Sequence, residues 1–283
     1  MEISYYPGCS LHGMASEYDE SIGAVCGALG ISLKELPDWN CCGASSAHFT
    51  DDDLAIRLPA RNMAIAEREE HELLVPCAAC FHHLKHADKE LKKDAARWIG
   101  ESYQGKATIW HVNDFFDRPE WLGRIKQKVE RPLTGLAGVA YYGCLSQRPP
   151  KVTDARSPEN PTSMDNLMRL IGMEVRPWSY KTNCCGASLT LTRTDVVRKL
   201  SGDILEAARE AGAECLVTDC PMCQSNLDTR QAEIEAERGT TYGLPIFYVT
   251  ELMALAFGDD KTADWWKKHF VDPRGLLQSK GLL

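Results

Sequence analysis

Residues 72–80, Glu72-Leu73-Leu74-Val75-Pro76-Cys77-Ala78-Ala79-Cys80, read as a short apolar strand that turns at a proline into a C-x-x-C pair. The His, Lys and Leu residues beyond it have the character of a helix, so the pair stands at a strand-to-helix turn. Residues 215–223, Cys215-Leu216-Val217-Thr218-Asp219-Cys220-Pro221-Met222-Cys223, repeat the plan 143 positions later (220 − 77 = 223 − 80 = 143). Further out, the adjacent pair Cys41-Cys42 recurs as Cys184-Cys185 at the same offset, each followed by a glycine, Gly43 and Gly186. One more cysteine precedes each pair, Cys9 and Cys144, at an offset of 135, so the second copy holds eight extra residues there (143 − 135 = 8). Ten of the twelve cysteines therefore form one five-cysteine pattern that occurs twice, which implies two equivalent metal or redox centres in two equivalent halves.

The segments between the cysteines follow one order in both halves. Strands are expected at Glu2–Tyr6, Ile31–Leu36, Glu72–Val75 and Thr108–Val112, and again at Gly138–Tyr142, Glu174–Pro177, Cys215–Thr218 and Pro245–Val249. Helices are expected over about Glu17–Leu29, Asp53–Glu70 and Asp195–Ala211. Such alternation predicts an α/β fold of two pseudo-symmetric lobes, each a small, mostly parallel sheet flanked by helices. In such sheets functional groups gather beyond the carboxyl ends of the strands, where the first cysteine and the C-x-x-C of each half fall. The Pro- and Gly-containing stretch Arg131–Leu136 marks the boundary, giving domains 1–131 and 137–283. The closing segment Thr262–Leu283, with Trp265, Trp266 and Phe270, either packs on its own core or docks a partner; the first is the commoner outcome.

A net charge of −8 argues against binding nucleic acid or anionic membrane, both of which need a basic surface. The N-terminus has neither a basic nor an apolar signal region, and no apolar run approaches the roughly 18–20 residues that span a bilayer. Many cysteines without a secretion signal point to a reducing cytosol, where thiols bind metals or do redox chemistry.

A thioredoxin-like dithiol would explain Cys77 and Cys80 but leaves Cys9, Cys41 and Cys42 without a role. A structural zinc site takes four ligands, and neighbouring side chains chelate one ion badly; zinc in one half stays open. Two adjacent thiolates are better placed to bind two irons of one polynuclear cluster, and thiolate softness suits iron–sulfur chemistry. Gly43 and Gly186 would let backbone N–H groups approach the cluster sulfurs.

This doubled arrangement resembles the duplicated cysteine-rich CCG domain, and a chain made of two such domains resembles the B-subunit family of the heterodisulfide reductases. YYPGCSLHG, NCCGAS, NCCGASLTL and VTDCPMCQSNLD carry the resemblance, which covers nearly the whole chain. It implies that Cys9, Cys41, Cys42, Cys77 and Cys80 hold one noncubane [4Fe–4S] cluster. Cys144, Cys184, Cys185, Cys220 and Cys223 would hold a second. The two clusters would face each other across a substrate cleft where a small disulfide is reduced or formed, with Cys41, Cys42, Cys184 and Cys185 as the candidate catalytic thiolates. It also implies partners: a ferredoxin-like C subunit and a flavin-containing A subunit, since the chain carries neither a ferredoxin cysteine run nor a G-x-G-x-x-G. A CCG-type electron-transfer subunit of a lactate-, glycolate- or succinate-oxidising complex and a zinc scaffold are the competing readings.

Several other residues are expected to be structural. Cys26 and Cys215 fit core positions. His82 and His83 are expected on a solvated helix face, and His48 and Lys181 at the surface. The polar, proline-rich loop that follows Cys144 is either an ordinary surface loop or a lip whose Arg148, Lys151 or Arg156 attracts an anionic thiol.

Overall fold

The computed structural model describes residues 1–44 and 46–283. Eight short strands form two four-stranded sheets. β1 (Glu2–Tyr5), β2 (Ser32–Glu35), β3 (Leu73–Val75) and β4 (Ile109–His111) lie in the order β2-β1-β3-β4. β5 (Ala137–Tyr141), β6 (Glu174–Val175), β7 (Cys215–Thr218) and β8 (Ile246–Tyr248) lie in the order β6-β5-β7-β8. All pairings are parallel, with Ser4 opposite Leu73 and Leu73 opposite Ile109 in the first sheet, and Gly138 opposite Cys215 in the second. Parallel strands need crossovers that cover both faces, which is why β3, β5 and β7 are buried along their whole length and mostly apolar. In each sheet the chain leaves the first strand to one side and returns on the other, which puts the topological switch point between β1 and β3 and between β5 and β7.

The two sheets share one core. The helix Ser16–Ala28, which follows β1, packs on Val249–Ala256, which follows β8. Reciprocally, Val112–Phe116 after β4 packs on Ser163–Leu170 after β5. Tyr18 and Ile22 of one lobe thus share a cluster with Phe247, Leu252 and Met253 of the other, as Phe115 and Phe116 do with Met164, Leu167 and Met168. The stretch expected to be a boundary is held tightly: Leu133 and Leu136 are fully buried, and the Glu130 and Arg131 N–H groups both donate to the Ala256 carbonyl at 2.9 Å.

The proline-rich loop itself holds a short helix, Pro150–Thr153, and the stretch after it, to which the sequence assigned no element, forms the helix Ser163–Leu170. Met164, Leu167 and Met168 give it an i, i+3, i+4 apolar face behind the proline-rich lead-in. The closing segment packs inward: Trp265, Trp266 and Leu277 are buried, and the Trp265 indole N–H donates to Glu20 at 2.9 Å, leaving Phe270 exposed. Cys26 and Cys215 lie in the shared core. No helix among the described residues is long and apolar enough to cross a membrane.

Candidate metal centre

The C-x-x-C pairs sit at the switch points. Cys77 is the extended residue before the helix Ala78–Ile99, and Cys220 has the same place before Pro221–Thr229. Free N–H groups and the positive end of the helix dipole therefore face both pairs and favour thiolates. The end of the first strand of each lobe crosses directly over the second sulfur. A Cβ on Gly8 would stand 3.0 Å from Cys80 Sγ, and one on Gly143 3.0 Å from Cys223 Sγ, with both glycines at positive φ. Only glycine permits so close an approach in that conformation.

The loops after β2 and β6 deliver the adjacent pairs. Cys42 Sγ lies 3.3 Å from Cys80 Sγ, and Cys185 Sγ lies 3.5 Å from Cys223 Sγ. These are contacts between free thiols; all twelve cysteines are unpaired. A buried tyrosine anchors each loop: Tyr6 OH donates to the Asn40 carbonyl at 2.8 Å, and Tyr141 OH to that of Asn183 at 2.6 Å. Burial first, and the surrounding thiols second, keep both phenols protonated and able to donate. The Gly43 N–H donates to Cys41 Sγ at 3.4 Å and the Gly186 N–H to Cys184 Sγ at 3.3 Å.

The thiols share protons unequally. Cys42 and Cys9 donate to Cys41, which holds it far below the usual thiol range, while Cys9 is pushed up by the same bond. Cys144 likewise donates to Cys184 and lowers it to about 6, helped by the Gly186 and Ala187 N–H groups. Ala78, between Cys77 and Cys80, packs across the lobe boundary in the cluster that holds Cys185, Cys220 and Cys223. Hydrogen bonds from Cys223 and Cys77 hold Cys220 well below its ordinary value, and the bond to Cys220 raises Cys77. The structure thus joins the two halves at their C-x-x-C pairs.

Behind this junction lies a buried polar group that no motif in the sequence marks. Asp219, directly before Cys220, accepts from His111 Nδ1 at 3.1 Å and from Asn113 Nδ2, and Tyr18 OH donates to its backbone carbonyl at 2.9 Å. Tyr18 stacks on Tyr248 with ring centroids 4.0 Å apart. His111 Nε2, Asn113 Oδ1 and Asp219 Oδ1 are buried without a protein partner, a setting that suits ordered water. The one available signal is a lone carboxylate ending an apolar strand.

Other expected roles change. His82 and His83 are half-buried rather than on a solvated face; His83 is pushed down to about 4 by burial, then by His82, His48 and His86. His48 is exposed. Lys181 is buried, donating to Asp165 at 2.8 Å and to the Pro161 carbonyl at 2.9 Å, because the unforeseen helix Ser163–Leu170 covers it. Arg148 is committed to Glu159 and Thr182, while Lys151 and Arg156 stay exposed. Asp154 pairs with Lys85 at 2.6 Å and with Lys89, so this loop clasps the cysteine-bearing helix of the other lobe.

Among the described residues, no three His, Cys, Asp or Glu side chains are gathered around a single-ion site. The donor set at the junction is all sulfur, spread over paired contacts, with glycine backbone at the places where a bulky inorganic group needs clearance. That set fits a polynuclear iron–sulfur group.

Two parallel sheets with thiols at their switch points define a duplicated cysteine-rich α/β protein. The CCG cysteine-rich domain matches residues 3–85 and 139–228, and the chain belongs to that family. It is 33% identical over 264 residues to the 8-methylmenaquinol:fumarate reductase membrane anchor subunit of Wolinella succinogenes, covering 91% of this chain and 92% of that one. It is 26% identical over 269 residues to the B subunit of the ferredoxin:CoB-CoM heterodisulfide reductase of Methanosarcina mazei, covering 91% and 89%. A crystal structure of a hypothetical protein from Helicobacter pylori shares the fold, with a TM-score of 0.73 at 11% identity over 96% of this chain; the chain spans 52% of that structure.

Proposed function

We propose that this chain is an iron–sulfur, electron-transferring subunit of an oxidoreductase complex whose ten patterned thiolates hold two noncubane [4Fe–4S] clusters around one site that reduces or forms a disulfide. Cys9, Cys41, Cys42, Cys77 and Cys80 are the ligands of one cluster, and Cys144, Cys184, Cys185, Cys220 and Cys223 those of the other. The observation that carries the reading is the packing of Ala78, between Cys77 and Cys80, in the same cluster as Cys185, Cys220 and Cys223, which makes the two five-thiol sets neighbours about a pseudo-two-fold axis. A nearly symmetric R–S–S–R′ bond suits such an axis. Its reduction takes two electrons and two protons and yields R–SH and R′–SH, with the electrons drawn from a reduced ferredoxin-like C subunit and a flavin-containing A subunit. When bound, each cluster supplies a one-electron store and an iron open to sulfur. The chain's own groups provide the rest. Gly43 and Gly186 donate N–H bonds to the exposed thiolates Cys41 and Cys184, Tyr6 and Tyr141 fix the loops, and neutral His83 adds no charge beside Cys41. The names of the heterodisulfide reductase relatives support this assignment, and a cytoplasmic setting follows from the thiol chemistry.

A second reading is favoured by the higher identity to the fumarate reductase subunit: the same clusters relaying electrons within a succinate- or fumarate-linked complex. Anaerobically purified chain should contain about eight irons, two clusters of four. Cys42→Ala and Cys185→Ala should each lose about half the iron and abolish disulfide reduction from an artificial donor. Full activity in either variant excludes the two-cluster mechanism. Iron-replete protein that reduces no disulfide but passes electrons to a fumarate reductase partner selects the relay. Zinc without iron excludes both.

A further inference from the structure

The two halves are built alike, but their sulfurs do not receive the same hydrogen bonds. Asn226 lies one turn after Cys223 and is 1% exposed. Its Nδ2 donates to the Cys185 carbonyl at 3.3 Å and to Cys185 Sγ at 3.8 Å. A carbonyl can only accept, so the amide N–H must face Cys185, and Asn226 Oδ1 faces the Thr190 hydroxyl at 2.9 Å. Ser201 also donates to the Cys185 carbonyl at 3.3 Å. The residues 143 positions earlier are His83, Ala47 and Leu58. Alanine and leucine bring no donor, and among the described hydrogen bonds none runs from His83 to Cys42.

The residues that open the two C-x-x-C helices also differ: Ala78 carries a backbone N–H and is buried in the cluster that holds Cys185, Cys220 and Cys223, whereas its counterpart Pro221 has no N–H. The turn N–H groups are balanced, Gly43 facing Cys41 and Gly186 facing Cys184. The surplus of donors therefore lies with the C-terminal set. An N–H aimed at a ligand sulfur stabilises the more negative, reduced form of an iron–sulfur centre and raises its potential.

We propose that Asn226 makes the C-terminal centre the higher-potential one of the two, so that the first electron to arrive settles there. The inference rests on the two-cluster reading above. On this view the site is symmetric in shape and polarised in electron affinity, and the two sulfur atoms of a bound disulfide are not reduced alike.

Spectroscopically monitored redox titration of the full chain tests it, with Cys42→Ala isolating the C-terminal centre and Cys185→Ala the N-terminal one. The C-terminal centre should titrate at the higher potential. Asn226→Leu should lower that potential by about tenfold in the one-electron equilibrium constant, about 59 mV, and leave the other centre unmoved. Grafting the amide into the first half, with Ala47→Thr and His83→Asn together, should raise the N-terminal centre. Iron-replete protein with equal or reversed potentials overturns the inference, as does Asn226→Leu without a shift. If Asn226→Leu loses its iron, the graft decides: no rise in the N-terminal potential overturns the proposal. Absence of iron from the unmodified chain overturns the two-cluster reading itself, and this inference with it.

Discussion

His269 lies in the closing segment that is hydrogen-bonded to the thiol-bearing helix Pro221–Thr229, and its removal should give a pH-dependent loss of stability. His269 Nε2 lies 3.0 Å from Glu251 Oε1, and both side chains are at most 1% exposed. Glu251 also accepts the Tyr248 N–H at 2.8 Å, which caps the helix Val249–Ala256. The next two residues, Phe270 and Val271, donate their N–H groups to Asp228 at 2.8 and 3.0 Å. Asp228 belongs to the helix that begins after Cys220, so the tail holds that helix in place. Burial opposes the charged imidazole, but the Glu251 carboxylate outweighs it and lifts His269 from 6.5 to about 9. A rise of that size corresponds to about 3 kcal/mol of stability. It is present in full below pH 6.5 and is lost as the pH climbs through 9, because the native state then holds a proton that the unfolded chain has released.

His269→Ala should cost about 3–5 kcal/mol at pH 6, since it leaves a buried carboxylate unpaired. His269→Gln keeps a neutral donor to Glu251 and should remove the slope between pH 6.5 and 9 while costing less. Urea unfolding of the wild type and both variants at pH 6, 7.5 and 9 reads both effects. Faster alkylation of Cys220 and Cys223 in His269→Ala would show the loosening reach the site. A wild-type slope retained in His269→Gln, or a cost below about 1 kcal/mol for His269→Ala at pH 6, as expected of an exposed pair, would refute the reasoning.

Glu17 is raised from 4.5 to about 7 by burial first and by Glu251 in part, so wild-type stability should fall as pH rises between those values. Glu17→Gln should remove that slope and gain roughly 2–3 kcal/mol at neutral pH, measured by thermal melts; an unchanged slope would contradict it. Gly143→Ala combines a left-handed backbone with a Cβ 3.0 Å from Cys223 Sγ and should cost at least about 1 kcal/mol and deplete metal from the C-terminal set. Gly212→Ala, equally left-handed but with nothing within 4 Å, should cost stability and keep the metal; equal iron in the two variants would show that the close approach is unimportant.

Much of the fold was legible in residue order. β7 has the expected bounds, and the other strands lie within one or two residues of theirs, because short apolar runs ending at Gly or Pro leave little choice of element. The helices Ser16–Ala28, Asp52–Arg68 and Thr194–Glu210 follow their apolar periodicity. Ser163–Leu170 escaped because its Met–Leu–Met face is brief and the proline-rich lead-in dominates the window. Lys181 looked like a surface residue since nothing in its neighbourhood names Asp165 as its partner, sixteen positions back and on that same helix.

The spacing of the cysteines determined by itself the duplication, the strand-end placement of the thiols and the soft, all-sulfur character of the donor set. Those properties are local, set by residue type and by the period of short elements. The tertiary structure alone decided that Ala78 of the first C-x-x-C packs with Cys185, Cys220 and Cys223, that the lobes share a core through reciprocal helix pairs, and that Asp219, His111 and Asn113 lie buried behind the junction. It also decided that halves with the same pattern receive different donors, since Asn226 reaches Cys185 and its counterpart His83 makes no such bond to Cys42 among the described hydrogen bonds. Contacts between residues more than a hundred positions apart depend on how two sheets bury a common surface, and no spacing within either half encodes that.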